Sequence, residues 1–185
     1  MLLIYLVCSA TFVFFGFVVF RMIVRRDYLK KSKLLTLSSS LEVLIFALHA
    51  NFIYLFIPVK WPNLPSLPDS LALRIISIFL FFFGLVILMI AWFGLGSGKS
   101  FGQDKRRLNT DGIYQYSRNP QLIGYGVMLC SFVVIFLSWY SVGWFFLYLV
   151  ISYFMVQTEE EFLKLRFGKE YRNYCSDVPR IIKLG

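Results

Sequence analysis

Two polar segments hold most of the residues that can do chemistry. The first runs from Gly112 to Gly124 and contains Tyr114, Tyr116, Arg118, Asn119 and Pro120. The second opens with Glu159, Glu160 and Glu161 and runs through Phe167, Gly168 and Tyr171 to Val178-Pro179-Arg180. Arg118 suits a carboxylate or phosphate, which a guanidinium grips with two parallel hydrogen bonds. Tyr114 and Tyr116 can stack on a flat ring or donate hydrogen bonds. The glutamates can hold a diol, accept from an ammonium, or fix Arg118 and Arg180; Glu160 and Lys164 also form an i,i+4 pair. Asn119-Pro120 heads an apolar run and predicts an N-cap followed by a first-turn proline. The N–H groups of such a helix start favour an anion. Together the two segments predict a site for a small polar cofactor.

Between them lies enough apolar chain to cross a bilayer twice, which would bring both segments to one membrane face. The composition agrees: 58% of the 185 residues are hydrophobic, 19% are aromatic, 16% are charged, and mean hydropathy is +0.69. That much apolar surface requires lipid as solvent. About 20 apolar residues cross the hydrocarbon, and five stretches qualify: 1–24, 40–58, 70–95, 121–138 and 140–157. The expectation is one all-α integral membrane domain over residues 1–185. Residues 1–95 supply three N-terminal spans and 96–185 the cofactor-binding region. The pocket is expected from the 96–120 loop, the start of the fourth span and the segment after the fifth.

The charges orient the spans. Arg21, Arg25, Arg26, Lys30, Lys31 and Lys33 follow span one. Lys99, Lys105, Arg106, Arg107 and Arg118 lie between spans three and four, and Lys164, Arg166, Lys169, Arg172, Arg180 and Lys183 follow span five. Only Lys60 and Arg74 flank the opposite side. Positive loops remain cytoplasmic, so the N-terminus is expected outside and the C-terminus inside. The net charge of +9 then reflects topology and attraction to membrane lipids with anionic headgroups. Charge spread over three loops of a lipid-bound fold argues against nucleic acid as a partner.

Other signals are weaker. The first apolar run has its charges after it instead of before it, and is expected to be retained as a span. Cys8, Cys130 and Cys175 are far apart, with one histidine in the chain, so neither a zinc site nor a disulfide framework is expected. Gly94 to Ser100 imitates a phosphate loop, but Phe93 stands where the motif needs glycine; its glycines are expected to end span three. The Pro58–Pro68 stretch carries four prolines and predicts a non-helical loop. Leu163, Phe167, Tyr171 and Tyr174 share one face of a helix, which Pro179 would stop. Glu42 and His49 lie seven apart in span two. Ionisable groups within a membrane default to a functional reading, so both, with Arg180, are candidates for contact with the acceptor.

The two motifs resemble those of the isoprenylcysteine carboxyl methyltransferase family, within a wider set of small membrane methyltransferases that includes phospholipid N-methyltransferases. The resemblance covers about residues 95–182. Gly112, Tyr114, Arg118, Asn119, Pro120 and Gly124 fall on its first motif. Glu159, Glu160 and Leu163 fall on the second, followed by Phe167, Gly168, Tyr171, Tyr174 and Arg180. The resemblance implies that these residues surround S-adenosylmethionine, with a lipophilic or lipidated acceptor arriving from the bilayer. Cofactor binding would rest on Gly112, Tyr114, Arg118, Asn119, Pro120, Gly124, Glu159 and Glu160, and catalysis on Arg118 and Glu160. Asn119 replaces a histidine common in the family, and Leu122 replaces a tyrosine.

The implied function is methyl transfer, most like carboxyl O-methylation of a protein isoprenylcysteine. Two alternatives stand beside it: an NADPH-dependent membrane reductase of the sterol type, and a non-catalytic membrane protein that keeps the fold. A chain this compact suggests a prokaryotic cytoplasmic membrane; in a eukaryote the expectation is the endoplasmic reticulum.

Overall fold

The computed structural model describes residues 1–56, 67–95 and 108–183. The expected Pro58–Pro68 loop with Lys60, and the stretch bearing Lys99, Lys105, Arg106 and Arg107, lie almost wholly outside the described residues. Among the described residues every regular element is helical, as the composition predicts. The protein is an all-α integral membrane protein.

Helix α1 (Leu2–Phe17) continues through a π-helical turn (Val18–Val24) into α2 (Arg25–Lys31). The π turn carries Arg21, whose guanidinium donates to Thr158 Oγ1 at 3.1 Å and to Glu161 at 2.7 Å. Ser32, at φ 55°, stops α2 in the left-handed region. Helix α3 (Thr36–Phe52) has Leu35 at its N-cap, with no side-chain oxygen to offer. Buried Asp27 compensates by accepting from Leu35 N and Ser38 Oγ, which ties α2 to the start of α3.

Helix α4 (Leu71–Leu95) packs along α5 (Pro120–Ile135) in backbone contact. A Cβ built on Gly84 would lie 2.6 Å from Gly124 O, and one built on Gly124 would lie 2.6 Å from Leu88 N. In hydrocarbon, helices gain little from excluding lipid, so approach of this kind through small residues supplies the association energy. Helix α6 (Trp139–Asp177) starts at Ser138, whose side chain accepts from Ser141 N while Ser141 Oγ accepts from Ser138 N. Its 39 residues are broken by a kink at Gly168; the part before it extends about 43 Å at 1.5 Å per residue, longer than the hydrocarbon thickness of about 30 Å. The apolar part ends near Gln157, and the remainder stands outside the membrane core.

Among the described residues, four helical stretches are long and apolar enough to cross a membrane: Leu2–Lys31, Thr36–Leu55, Leu71–Gly94 and Trp139–Asp177. The fourth expected span, 121–138, is helical over Pro120–Ile135 but has only 16 residues, about 24 Å by the same rise, and it packs against α4.

The bundle core is aromatic. Phe12, Phe20, Phe52, Trp144 and Tyr148 are buried within it, and His49 sits at its centre, stacked on Trp144 at 5.1 Å. Trp144 O can only accept, so His49 Nε2, 3.0 Å away, carries the proton. His49 Nδ1 then accepts from the Tyr125 hydroxyl at 3.4 Å. Trp144 Nε1 returns a bond to His49 O at 2.6 Å.

Candidate functional site

The site forms where α5 begins and α6 leaves the apolar layer. Asn119 occupies the N-cap and Pro120 the first helical position, as predicted. The Asn119 side chain does not cap the helix, however. Its Nδ2 donates to Arg180 O at 3.0 Å, and its backbone N–H is taken by Ser117 Oγ. Pro120 is fully buried at the turn.

Three adjacent carboxylates diverge, because successive helical residues point about 100° apart. Glu161 faces α1 and α2, where Arg21 Nη2 and Arg25 Nε reach it at 2.7 and 2.6 Å. Glu159 acts electrostatically on the phenols of Tyr28 and Tyr114, and Glu42 also acts on Tyr28. Glu160 faces the site and is buried. Arg180 grips it side-on, Nε to Oε1 at 2.8 Å and Nη2 to Oε2 at 2.7 Å. Arg118 Nη1 adds a bond at 3.0 Å, and Lys164 Nζ stands 3.8 Å away. Burial pushes the Glu160 carboxyl up, but the Arg180 hydrogen bond and the Arg118, Arg180 and Lys164 charges outweigh it, leaving the group below the usual glutamate value.

Arg118 is tied down at one end only. Its Nη1 also donates to Tyr171 Oη at 3.3 Å and to Cys175 Sγ at 2.8 Å. Its Nε is buried and finds no partner among the described residues. Tyr171 and Cys175 reach Arg118 because Gly168 interrupts α6 at φ 51°, ψ −111°, a conformation open to glycine at little steric cost. Past that kink, Tyr171, Tyr174 and Val178 pack on Leu108, and Tyr174 Oη donates to Tyr114 O at 2.6 Å.

The remaining candidates fall around this centre or away from it. Tyr114 is buried, donates to Ala91 O at 3.3 Å, and has its phenol pushed up by burial and then by Glu159 and Tyr174. Gly112, at φ 60°, opens the turn that delivers Tyr114. Gly124 lies one turn into α5, against the α4 backbone. Arg180 joins the Glu160 cluster; His49 does not, and Glu42 acts on Tyr28. His49 has both ring nitrogens engaged inside the bundle.

One participant, Cys175, and one buried polar group nearby in the chain, Asn109, escaped sequence reasoning. Cys175 carries no spacing signal, since only the Gly168 kink turns it toward Arg118. Asn109, whose Nδ2 is also buried without a partner among the described residues, lies beside Leu108 in a segment without helical periodicity. Among the described residues no group of three metal-ligating side chains forms.

The profile of the phospholipid methyltransferase family matches residues 71–170. A protein-S-isoprenylcysteine O-methyltransferase from Dictyostelium discoideum is 32% identical over 142 residues, covering 71% of this chain and 57% of that protein. One of the same name from Rattus norvegicus is 28% identical over 157 residues, covering 77% of this chain and 51% of its own length. The chain thus spans little more than half the length of these relatives. No solved structure matches it. The profile begins at the foot of α4, a whole helix before the expected residue 95, in keeping with the backbone contact between α4 and α5. With more than half of the 185 residues matched, the chain belongs to the phospholipid methyltransferase family.

Proposed function

We propose that the protein is an S-adenosylmethionine-dependent methyltransferase acting on a lipophilic acceptor, most like carboxyl O-methylation of an isoprenylcysteine. The observation that carries the reading is the half-satisfied Arg118. Its Nη1 is anchored by Glu160, Tyr171 and Cys175, while Nε is buried and without a partner among the described residues. An orphaned buried guanidinium N–H is costly, and the Nε edge is the one Arg180 already uses to grip a carboxylate. The donor set therefore fits the methionine carboxylate of the cofactor.

In this reading Arg118 receives that carboxylate beside the start of α5, and Asn119 and Pro120 shape the approach. Glu159 faces the ribose or the ammonium, and Tyr114 walls the adenine side. Bound, the cofactor supplies an electrophilic methyl on a sulfonium. The chain's own task is positioning and exclusion of water. Glu160, already paired with two guanidiniums, is a poor proton acceptor; it orients Arg118 instead. That favours an acceptor that needs no deprotonation, such as a carboxylate. With positive loops cytoplasmic, the site opens to the cytoplasm and the acceptor enters from the bilayer.

The test is adenosylmethionine binding to detergent-purified protein, with NADPH as control ligand. Micromolar binding of adenosylmethionine, lost in Arg118→Ala and Glu160→Ala, is expected. Binding of NADPH alone would replace the reading with a reductase. Binding of neither ligand by folded protein would point to a non-catalytic relative.

A further inference from the structure

The segment Val178–Lys183 crosses the site as a strap. Arg118 N donates to Pro179 O at 3.1 Å, and Lys183 N donates to Tyr116 O at 2.8 Å. Ser117 Oγ and Asn119 Nδ2 both donate to Arg180 O. Val178 is buried against Leu108, Tyr171 and Tyr174. These contacts fix its inner edge.

Its outer edge is apolar. Ile181 is 69% exposed and Ile182 56%, with Tyr116 beside them at 61%. Two adjacent exposed isoleucines on a well-bonded strap are costly in water. The depth of the strap accounts for them. Arg180 reaches Glu160, about one turn beyond the end of the apolar part of α6, so the strap lies level with the membrane–water boundary. Tyrosine is enriched at that level.

The surrounding charge is mostly positive, with Glu170 and Asp177 as the exposed acids of this stretch. Arg25 reaches α6 one residue further on, at Glu161. Lys164, Arg166, Lys169 and Arg172 follow along α6, all exposed, and Lys183 ends the described part of the strap. Apolar side chains set among cations are the pattern of a segment lying in the headgroup layer of an anionic membrane.

We infer that the strap Val178–Lys183 is a lipid-contact element: Ile181 and Ile182 enter the headgroup–acyl boundary, and the cations around them bind anionic phospholipid headgroups. The partner is the anionic membrane surface itself. Because the same strap carries Arg180 and covers Arg118, lipid contact holds the site in its assembled form. The inference does not depend on methyl transfer, and its test uses no cofactor.

Hydrogen exchange at the Arg118 and Lys183 amides reads the strap directly. The whole protein is placed in nanodiscs of phosphatidylcholine alone or of equimolar phosphatidylcholine and phosphatidylglycerol, beside the double variant Ile181→Ser/Ile182→Ser. Exchange in the wild type is expected to slow by roughly tenfold in the anionic discs, and the variant to lose that protection. Amides around Gly84 and Gly124 serve as the folding control and are expected to be unchanged. Equal exchange in wild type and variant would overturn the membrane contact. Equal protection in both lipids would overturn the anionic headgroup assignment. A second variant, Lys183→Glu, separates charge from insertion: it should weaken protection in the anionic discs only, and an unchanged rate there counts against the assignment.

Discussion

Arg180 grips Glu160 side-on with two bonds of 2.8 and 2.7 Å, and so ties the strap after α6 to the helix's own third quarter. Arg118 completes the cluster from the start of α5. One buried carboxylate thus joins the two sequence motifs and the strap.

Removing that carboxylate leaves two guanidiniums facing each other without a counter-ion. Breaking a buried pair costs 3–5 kcal/mol, and the half-exposed Arg180 reduces this, so Glu160→Ala is expected to lose about 2 kcal/mol. Thermal unfolding in detergent measures it. Glu160→Gln should recover part of the stability through hydrogen bonding but not adenosylmethionine affinity. Wild-type affinity in both variants would remove Glu160 from the site.

Acid should loosen the same region. Glu160 and Glu161 are both held below the usual glutamate value, despite burial, because arginines bond to them. With the folded value below the unfolded one, their contribution is complete above about pH 4.5 and disappears as pH falls through the lower folded values. Unfolding temperature should stay flat from neutrality to about pH 5 and fall steeply below pH 4. In Glu160→Gln the fall should be shallower. A slope unaffected by the substitution would assign the acid sensitivity elsewhere.

A methyl group at the α4–α5 crossing has no room. A Cβ on Gly84 would meet Gly124 O at 2.6 Å and Met128 N at 2.7 Å, both backbone atoms that cannot rotate away. Gly84→Ala and Gly124→Ala are each expected to destabilise by about 1–3 kcal/mol. The comparison also tests the role of Gly124. If packing is its task, Gly84→Ala, outside both motifs, should reduce stability and ligand affinity as much. A selective loss of adenosylmethionine affinity in Gly124→Ala alone would show direct contact with the cofactor.

At Gly168 the constraint is conformational, since a Cβ there would meet nothing within 4 Å. Gly168→Ala should cost about 1–3 kcal/mol from backbone strain alone. Straightening α6 at this point would draw Tyr171 and Cys175 off Arg118. The expected signature is a larger loss of adenosylmethionine affinity than of thermal stability. An unchanged affinity would show that the kink does not serve the site.

Local physics made much of the protein legible in its sequence. Apolar runs of sufficient length marked the helical, membrane-bound class, and Asn119-Pro120 and Pro179 marked a helix start and a stop, because caps and proline act over a few residues. The pairing of Arg118 and Arg180 with a glutamate was among the choices left open by the residue types. Which glutamate, and which face, was decided by tertiary structure. Glu159, Glu160 and Glu161 look equivalent in the chain, and only the rotation of α6 against α1 and α5 sends one to Arg21 and Arg25 and another to Arg118 and Arg180. The partner of Gly124 and the approach of Cys175 to Arg118 were likewise invisible, since the first depends on a helix crossing and the second on the kink at Gly168. Spacing along the chain reports neighbours within a turn or two; contacts between distant residues depend on how whole helices meet.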